Sequence, residues 1–283
     1  MIKPVVQDDA FLADVKRATA NDFVVHLWWL GQSGFLVKYG NRYLLIDPYL
    51  SDSLTKKYAA TDKPHVRMSE RVINPARLDF VDVVTSSHNH TDHLDAETLI
   101  PLMKANPAMR IVTPAANCEF AAGRLGIDPA TILVADEGKT TSVAGFVITG
   151  IVAAHPQVER DEQGRSKYLG YVIQAGFCTI YHSGDTLWND AILEQVKRFK
   201  IDIALLPING DRPERRVAGN LNGPEAARLA KAAGARVVIP CHYDMFEFNT
   251  ASPDEFVREC GKIGQNFRVL RVGERLGSSE IRP

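Results

Sequence analysis

Four apolar runs in this chain each stop at a histidine or an aspartate, and this pattern constrains the fold more than any other feature. The runs and the residues that follow them are 79–87 with His88, 146–154 with His155, 177–184 with Asp185, and 236–241 with His242. Nearly continuous apolar runs are typical of buried strands in parallel sheets. Because ligands of open α/β sheets bind outside the carboxyl ends of strands, we expect these four side chains to meet at one sheet edge.

The rest of the chain alternates predicted strands with predicted helices, which indicates an α/β fold. Three short strands are expected between residues 23 and 48, separated by glycine and asparagine turns. Helices are predicted at 94–105, 115–126, 188–199, 222–234 and 252–263. Residues 51–80 are polar and predict a long loop. No linker separates the two halves, so we expect one domain over residues 1–283.

The segment SSHNHTDHLD, residues 86–95, concentrates metal-binding side chains. His88, His90, Asp92 and His93 form an H-x-H-x-D-H pattern, and imidazole with carboxylate suits zinc, iron or manganese. His88 and His90 are two residues apart and can point to one side, whereas Asp92 and His93 can face a second point. The structural alternative is a solvated turn in which Asp92 caps the following helix.

Three distant residues extend the histidine cluster to seven candidate ligands. Each is weak alone, because a histidine after a strand is more typical of a hydrogen-bonded loop and an aspartate after Ser-Gly of a turn. Together they divide into two sites: His88, His90 and His155 at one, Asp92, His93 and His242 at the other, with Asp185 bridging both. A structural zinc site needs four protein ligands and is closed, whereas seven ligands for two ions leave room for a bridging water.

This ligand set predicts hydrolysis by a metal-bound hydroxide. A bound ion lowers the pKa of water to about 7, and two ions about 3.5–4 Å apart also polarise a carbonyl or phosphoryl oxygen. We therefore expect two divalent metal ions as cofactors. Asp92 is the candidate catalytic residue, because it can orient the nucleophile as well as bind a metal.

These motifs resemble the metallo-β-lactamase fold superfamily. The resemblance covers residues 26–244 and includes the HNHTDH motif, His155, the GD of YHSGDT and His242. Within the superfamily the chain is most similar to the L-ascorbate-6-phosphate lactonase branch, through LWWLGQSGFLV, SSHNHTDHLD, YHSGDT and VVIPCHYDMF. The resemblance implies a four-layer αββα sandwich with metals at one edge of the sheets. It also implies that Asp47 supports the metal-ligand histidines and that manganese is the metal, whereas three-histidine sites generally favour zinc.

Two further positions are candidates near the metals. The resemblance places Gln32, in the turn of WLGQSGF, near the metal site, where it could contact substrate. The alternative is a hairpin turn made possible by the flanking Gly31 and Gly34. His182, next to the SGD turn, is expected to support the site or the structure, with a proton shuttle as the alternative.

A loop after the predicted strand 201–209 carries candidate substrate contacts. They are Asn209, Arg212, Arg215 and Arg216. Arginine forks suit phosphate or carboxylate groups, and the strand end should lie near the metal edge. The alternative is a solvated charged loop.

The composition of the chain limits which binding partners and which cellular location are expected. The chain has 33 Lys plus Arg and 34 Asp plus Glu, a formal net charge of −1, which gives no electrostatic reason to expect nucleic acid or an anionic membrane. No apolar run reaches the roughly 20 residues that span a bilayer, and the start lacks the apolar stretch of a signal peptide. We expect a cytoplasmic protein with a small, anionic substrate; the branch resemblance favours a homo-oligomer.

The favoured function is a metal-dependent hydrolase that opens a small anionic lactone or ester. The alternative is a phosphodiesterase of the RNA or N-acyl phospholipid type on the same two-metal scaffold. The near-neutral charge argues against long RNA as the substrate. Redox chemistry at a di-iron centre and a non-catalytic metal-binding role are the remaining hypotheses.

Overall fold

Two β-sheets form the centre of the computed structural model, which describes residues 1–21 and 23–281. The strands of the first sheet are β1 (Val25–Gly31), β2 (Gly34–Tyr39), β3 (Arg42–Ile46), β4 (Val83–Thr85), β5 (Arg110–Pro114), β6 (Leu133–Ala135) and β13 (Arg275–Gly277). Their order is β13-β1-β2-β3-β4-β5-β6. The strands of the second sheet are β7 (Thr140–Val143), β8 (Phe146–Val152), β9 (Leu169–Ala175), β10 (Cys178–His182), β11 (Ile203–Pro207) and β12 (Val237–Cys241). Their order is β12-β11-β10-β9-β8-β7.

Helices lie before and between the strands along the chain, and several of them pack on the sheets. They are α1 (Asp8–Arg17), α2 (Ser53–Tyr58), α3 (Ala96–Ala105), α4 (Cys118–Leu125), α5 (Asp190–Val196), α6 (Gly223–Ala232) and α7 (Asp254–Ile263). On the first sheet, α4 packs against β5 and α3 packs against α4; on the second, α5 packs against β8 and α6 against β11 and β12. The predicted four-layer αββα sandwich is confirmed.

Aromatic side chains explain why β1 and β2 are buried on both faces. On the outer face, Trp28 packs edge-on against Phe11 of α1, with ring centroids 6.4 Å apart. On the inner face, Phe35 packs against His182 of the second sheet at 6.2 Å. Fully burying a side chain of this size contributes about 1.5–3 kcal/mol. Both sheets therefore contribute to one hydrophobic core, which extends from Phe11 to Leu276.

Strand directions bring distant parts of the sequence to one edge. In the first sheet, β3 runs parallel to β4. In the second, β10, β11 and β12 run parallel, and β8 shares their direction because both β8 and β10 are antiparallel to β9. The carboxyl ends of these strands meet at the edge where α/β sheets bind ligands. The residues that follow the strand ends there are Asp47, His88, His155, Asp185 and His242.

Some elements differ from the sequence-based expectations. Residues 51–80 are not a continuous loop, because they contain helix α2. The structure also contains α1, β6, β7 and β13, which the sequence patterns did not predict. Helix α3 begins at Ala96, and its N-cap is Asp95, whose carboxylate accepts a hydrogen bond from the Glu97 amide. The alternative role of Asp92 as the helix cap is therefore excluded. No described helix is long and apolar enough to cross a membrane.

Candidate metal centre

The seven candidate ligands predicted from the sequence lie together at the shared sheet edge. They form two clusters, His88, His90, His155 and Asp185 in the first, and Asp92, His93 and His242 in the second. Each residue offers one ligand atom, and within a cluster these atoms lie within 4.8 Å of one another. The structure thus brings side chains from four separate segments into ligand distance.

Asp185 lies between the two clusters. Its Oδ1 is 3.3 Å from His93 Nε2, and its Oδ2 is 3.4 Å from His242 Nε2 and 3.7 Å from His155 Nε2. Ligand atoms bound tetrahedrally to one ion at 2.0–2.1 Å lie about 3.3–3.4 Å apart. The spacing around Asp185 is therefore close to the spacing that bound ions would require on both sides of its carboxylate.

Hydrogen bonds on the outer side of three imidazole rings set their orientation. His93 Nδ1 lies 2.6 Å from Asp47 Oδ2, and His155 Nδ1 lies 2.9 Å from the Gly219 carbonyl oxygen. His88 Nδ1 lies 3.0 Å from Ser87 Oγ, which itself donates to Asp47. Each ring therefore uses Nδ1 for the protein and leaves Nε2 for an ion, as in most metal-binding histidines.

Backbone conformation around the site is unusual. Gln32, Asp47 and His242 have φ values of 50°, 40° and 65°, in the left-handed region that residues other than glycine rarely occupy. Such conformations cost of order 1–3 kcal/mol each and cluster at functional sites. The backbone N–H of His242 donates to the Gln32 carbonyl at 3.0 Å, which ties two of these residues together.

Unpaired buried atoms provide a test of whether the residues fit metal ions. His88 Nε2, His93 Nε2 and Asp185 Oδ1 are buried and have no hydrogen-bond partner. Leaving a buried polar atom unsatisfied costs about 1–3 kcal/mol. These three atoms are among the candidate ligand atoms, so cations at the two clusters would satisfy them. The donor set, imidazole nitrogens with carboxylate oxygens, fits divalent zinc or manganese.

Burial and charge set different protonation states in the two clusters. Burial lowers the pKa of His88 well below its usual value and also lowers the pKa values of His90 and His155. Burial opposes a charge on His93 as well, but the carboxylates of Asp185 and Asp92 outweigh it and raise the pKa of His93 well above the usual value. The three histidines of the first cluster are therefore neutral at pH 7, which is the form in which imidazole binds metals.

A cleft of about 480 Å³ opens over both clusters. His90, Asp92 and Asp185 form part of its floor, and the cationic side chains Lys57 and Arg124 line its walls. Further wall residues are Tyr58, His65, Asn89 and Phe120. The sequence placed Lys57 in the predicted long loop 51–80, and no pattern singled out Arg124 or Phe120. No local pattern marks them, because they come from two helices that only tertiary packing brings together.

Tyr168 is another residue that the sequence patterns did not single out. Its ring packs against three imidazoles of the first cluster, with centroid distances of 5.2 Å to His88, 5.6 Å to His155 and 6.1 Å to His90. It follows a charged loop and directly precedes β9, so its position at a strand start gave no functional signal.

The loop residues predicted to contact substrate, which follow the predicted strand 201–209, lie outside the cleft. The Arg215 guanidinium donates to the carbonyls of Asn209 and Thr250 and to the Asn249 side chain, so it organises the loop itself. Asn209 is buried and donates to Asn249, which lines the cleft. Arg212 is exposed, and Arg216 pairs with an exposed aspartate of the 51–80 region. Two of the three arginine side chains are therefore bound by protein groups outside the cleft, Arg215 by carbonyl and amide oxygens and Arg216 by a carboxylate.

The predicted supporting residues lie behind the ligands. Asp47 is fully buried and contacts His93, as described above. His182 contacts no ligand directly, but its Nε2 lies 3.1 Å from the Ser33 carbonyl oxygen and its Nδ1 accepts from Gly184 N–H at 3.2 Å. Gln32 does not line the cleft; its amide contacts Asp92 and His242 instead.

The αββα sandwich and the paired ligand clusters at its edge define a hydrolase of the metallo-β-lactamase fold. The profile described as "Beta-lactamase superfamily domain" matches residues 26–242, which is most of the chain. The chain belongs to the UPF0173 metal-dependent hydrolase family within this superfamily.

Individual relatives agree with this assignment. A UPF0173 metal-dependent hydrolase of Rubrobacter xylanophilus is 31% identical over 262 residues, which cover 88% of this chain and 95% of the relative. A possible metal-dependent hydrolase of Veillonella parvula has a similar structure, with a TM-score of 0.69, 17% identity and coverage of 89% and 99%. An isothiocyanate hydrolase from Delia radicum gut bacteria has a TM-score of 0.67, 20% identity and coverage of 89% and 98%. The two structures show the shared fold alone.

Proposed function

We propose that the chain hydrolyses a small anionic lactone or ester at a site for two divalent metal ions, zinc or manganese. The proposed ligands are His88, His90 and His155 for one ion, Asp92, His93 and His242 for the other, and Asp185 for both. The position of Asp185 carries this proposal, because its carboxylate lies 3.3–3.7 Å from histidine nitrogens of both clusters. A single-ion site would not need a carboxylate placed between two groups of ligands.

Two such ions, when bound, supply an acidified water and polarise the substrate oxygen. The residues of the chain hold and orient the reacting groups. Asp92 is the proposed catalytic residue, because its carboxylate lines the cleft and lies 3.6 Å from both His93 and His242. Burial would raise its pKa, but His93 and His242 hold the pKa of Asp92 below its usual value, so the group is an ionised acceptor for a water proton at pH 7.

The walls of the cleft support an anionic substrate of small size. Its volume of about 480 Å³ is typical of small-molecule sites. Lys57 and Arg124 are the cationic groups proposed to bind the substrate's charge. Arg124 is held in place, since its Nη1 donates to the Asn89 and Leu94 carbonyls at 2.6 and 3.1 Å and its guanidinium lies 4.4 Å from the Phe120 ring.

The same two cations support a phosphodiesterase as the second candidate. Arginine binds phosphate as readily as carboxylate, and two-metal sites serve phosphoryl transfer as well as acyl hydrolysis. The relatives are named as metal-dependent hydrolases without a substrate. The lactonase proposal therefore depends on the sequence resemblance described above together with the charge of the cleft.

A substrate panel tests the proposal. Protein loaded with zinc or manganese is assayed with four substrates. They are L-ascorbate 6-phosphate as the anionic lactone, an uncharged lactone, bis(p-nitrophenyl) phosphate and an isothiocyanate. Turnover of the anionic lactone is expected, and turnover of the phosphodiester alone would favour the second candidate.

Two substitutions test the site in the same assay. His88→Ala and Asp185→Asn are expected to abolish turnover while the circular dichroism spectrum stays unchanged. Asp79→Asn is the matched control, because Asp79 is exposed and away from the cleft. Undiminished turnover in either site variant would contradict the proposed ligand set.

A further inference from the structure

We propose that Gln32 is a further ligand of the second ion, through its side-chain carbonyl oxygen. This inference rests on the proposed two-ion site and adds an eighth ligand to it. Gln32 occupies the turn between β1 and β2 and is only 1% exposed, so its amide lies in the protein interior rather than in the cleft.

Distances place the Gln32 amide among the ligands of the second cluster. Its Nε2 lies 2.8 Å from Asp92 Oδ2 and 2.9 Å from His242 Nε2, and those two atoms are 3.6 Å from each other. Atoms that bind one ion at 2.0–2.1 Å lie about 2.9–3.4 Å apart in octahedral or tetrahedral geometry. The end of the Gln32 side chain therefore lies close to where a further ligand atom would be expected.

The other atom of the same amide has no partner. Oε1 of Gln32 is buried without a hydrogen bond. With an ion present, the lone pairs of Asp92 Oδ2 and His242 Nε2 would be used by the ion and would no longer accept the Gln32 N–H groups, which the positive charge would also repel. A half-turn of the amide would exchange its oxygen and nitrogen and offer Oε1 to the ion. Carbonyl oxygens of this kind are ligands for manganese and similar hard cations.

The backbone fixes Gln32 in this position. Its φ of 50° is in the left-handed region, and its carbonyl accepts hydrogen bonds from Trp29 Nε1 and the His242 amide, both at 3.0 Å. The preceding Gly31 has a φ of 96°, and a Cβ there would lie 2.5 Å from Met245 Cε. The turn therefore holds a non-glycine residue in a strained conformation with its side chain aimed at the ligands.

This ligand would make the two ion sites chemically different. The second site would have oxygens from Asp92, Asp185 and Gln32 with two imidazoles, whereas the first has three imidazoles and Asp185. Oxygen ligands favour manganese over softer ions, and imidazoles favour zinc. We therefore expect a stronger preference for manganese at the second site than at the first.

Calorimetric titration with Mn²⁺ tests the role of Gln32 without measuring turnover. Chelator-stripped wild type, Gln32→Met and Gln32→Glu are compared. Gln32→Met is expected to weaken one of the two Mn²⁺ affinities by about tenfold or more and to leave the other unchanged. Gln32→Glu is expected to keep or strengthen that affinity, because a carboxylate oxygen replaces the amide oxygen. Gln265→Met is the control, since Gln265 is also buried but hydrogen-bonds to Ala235 and Asn266 away from the site.

The visible spectrum of the Co²⁺-loaded proteins adds a readout of coordination. Gln32→Met should change the bands of one equivalent of Co²⁺ only. Unchanged Mn²⁺ affinities and an unchanged Co²⁺ spectrum in Gln32→Met would overturn the inference. So would equal weakening in Gln32→Met and Gln32→Glu, because an N–H donor to Asp92 would be lost in both.

Failure of the proposed function would look different. Wild-type protein that binds two Mn²⁺ ions but hydrolyses nothing in the panel would refute the proposed reaction and leave the Gln32 result intact. Wild-type protein that binds fewer than two ions would overturn both.

Discussion

At the residue scale, Asp47 links the first sheet to the metal centre. Its carboxylate accepts hydrogen bonds from the Ser87 amide at 2.9 Å and from Ser87 Oγ, and it lies 2.6 Å from His93 Nδ1. Asp47→Asn removes the negative charge that orients His93. We expect metal affinity to fall by about 10–100-fold, as for other residues that support metal ligands. Calorimetric titration of the chelator-stripped variant measures this loss.

The Asp79→Asn control should bind metal as the wild type does, because Asp79 is exposed and outside the cleft. An Asp47→Asn affinity within twofold of the wild type would show that His93 does not depend on the Asp47 carboxylate.

Lys57 and its neighbour Lys56 offer a matched pair for testing substrate charge. Lys57 lines the cleft, whereas Lys56 forms an exposed ion pair with Glu97. Lys57→Met should raise KM for an anionic substrate by about threefold to tenfold, and Lys56→Met should leave it unchanged. KM for an uncharged analogue should not change in either variant. Equal effects of the two substitutions would remove the assigned role of Lys57.

The buried His182 should make the metal-free protein less stable in acid. Burial lowers the pKa of His182 below its usual 6.5. Below pH 6.5 the unfolded chain therefore binds a proton that the folded chain does not bind. The free energy of unfolding must then decrease as the pH falls, by at most about 1.4 kcal/mol per pH unit from this residue.

The variant His182→Asn tests this contribution. Urea denaturation of chelator-treated protein at pH 7, 6 and 5 should show a shallower decline for the variant than for the wild type. Other buried histidines titrate in both proteins, so the difference isolates His182. An identical pH slope would contradict the assignment of a neutral, buried His182.

Some residues of the site could be predicted from the sequence, and others could not. His88 and His90 were visible because ligand types crowd into one short segment after an apolar strand. Asp185 and His242 were visible because each ends an apolar run. Arg124 could not be found this way, since its position over the cleft results from hydrogen bonds to the Asn89 and Leu94 carbonyls.

At the element scale, a buried lysine helps to hold helix α1 on the first sheet. Lys38 on β2 is 3% exposed, and its Nζ donates to the Val15 and Ala18 carbonyls at 3.0 and 2.7 Å, at the end of α1. Lys38→Met should lower the free energy of unfolding by about 1.5–3 kcal/mol, because hydrogen bonds from a charged group are lost. Urea denaturation measures this change.

Lys104→Met serves as the control, because Lys104 is exposed on α3 and should change stability by less than about 0.5 kcal/mol. A Lys38→Met stability equal to that of the control would show that the Lys38 hydrogen bonds do not contribute to the docking of α1.

Helices with a strong hydrophobic period and strands with a long apolar run could be predicted from the sequence. Helices and strands without such a pattern could not. Helix α1 buries only Phe11 and Val15 among its ten residues, which is too few for a clear helical period. Helix α2 buries only Leu54 in a polar segment. Strand β7 has only exposed and half-buried residues, so it lacks the apolar run that marked β8.

At the scale of the whole molecule, the alternation of strands and helices predicted the α/β class, and the family resemblance implied the four-layer sandwich. The strand-end pattern predicted that the ligands share one edge, because parallel strands must bring their carboxyl ends together. It could not predict the cleft, whose walls come from α2 and α4. We propose that residues 1–283 form one domain, since both sheets share one hydrophobic core.

Metal binding should stabilise this whole unit. At a free Mn²⁺ concentration 100 times the dissociation constant, each bound ion adds about 2.7 kcal/mol to the free energy of unfolding. We expect a single thermal transition that moves to higher temperature on loading and returns after chelation. Asp185→Asn should show a smaller shift. Two separate transitions would contradict the single domain, and no shift would contradict coupling of the metal site to the fold.

The most direct test of the two-ion hydrolase is the metal content per chain, measured by mass spectrometry on protein purified without chelator and paired with the substrate panel. We expect about two ions per chain, zinc or manganese, together with turnover of an anionic lactone or ester. One ion or none after careful loading would contradict the division of the seven ligands between two sites.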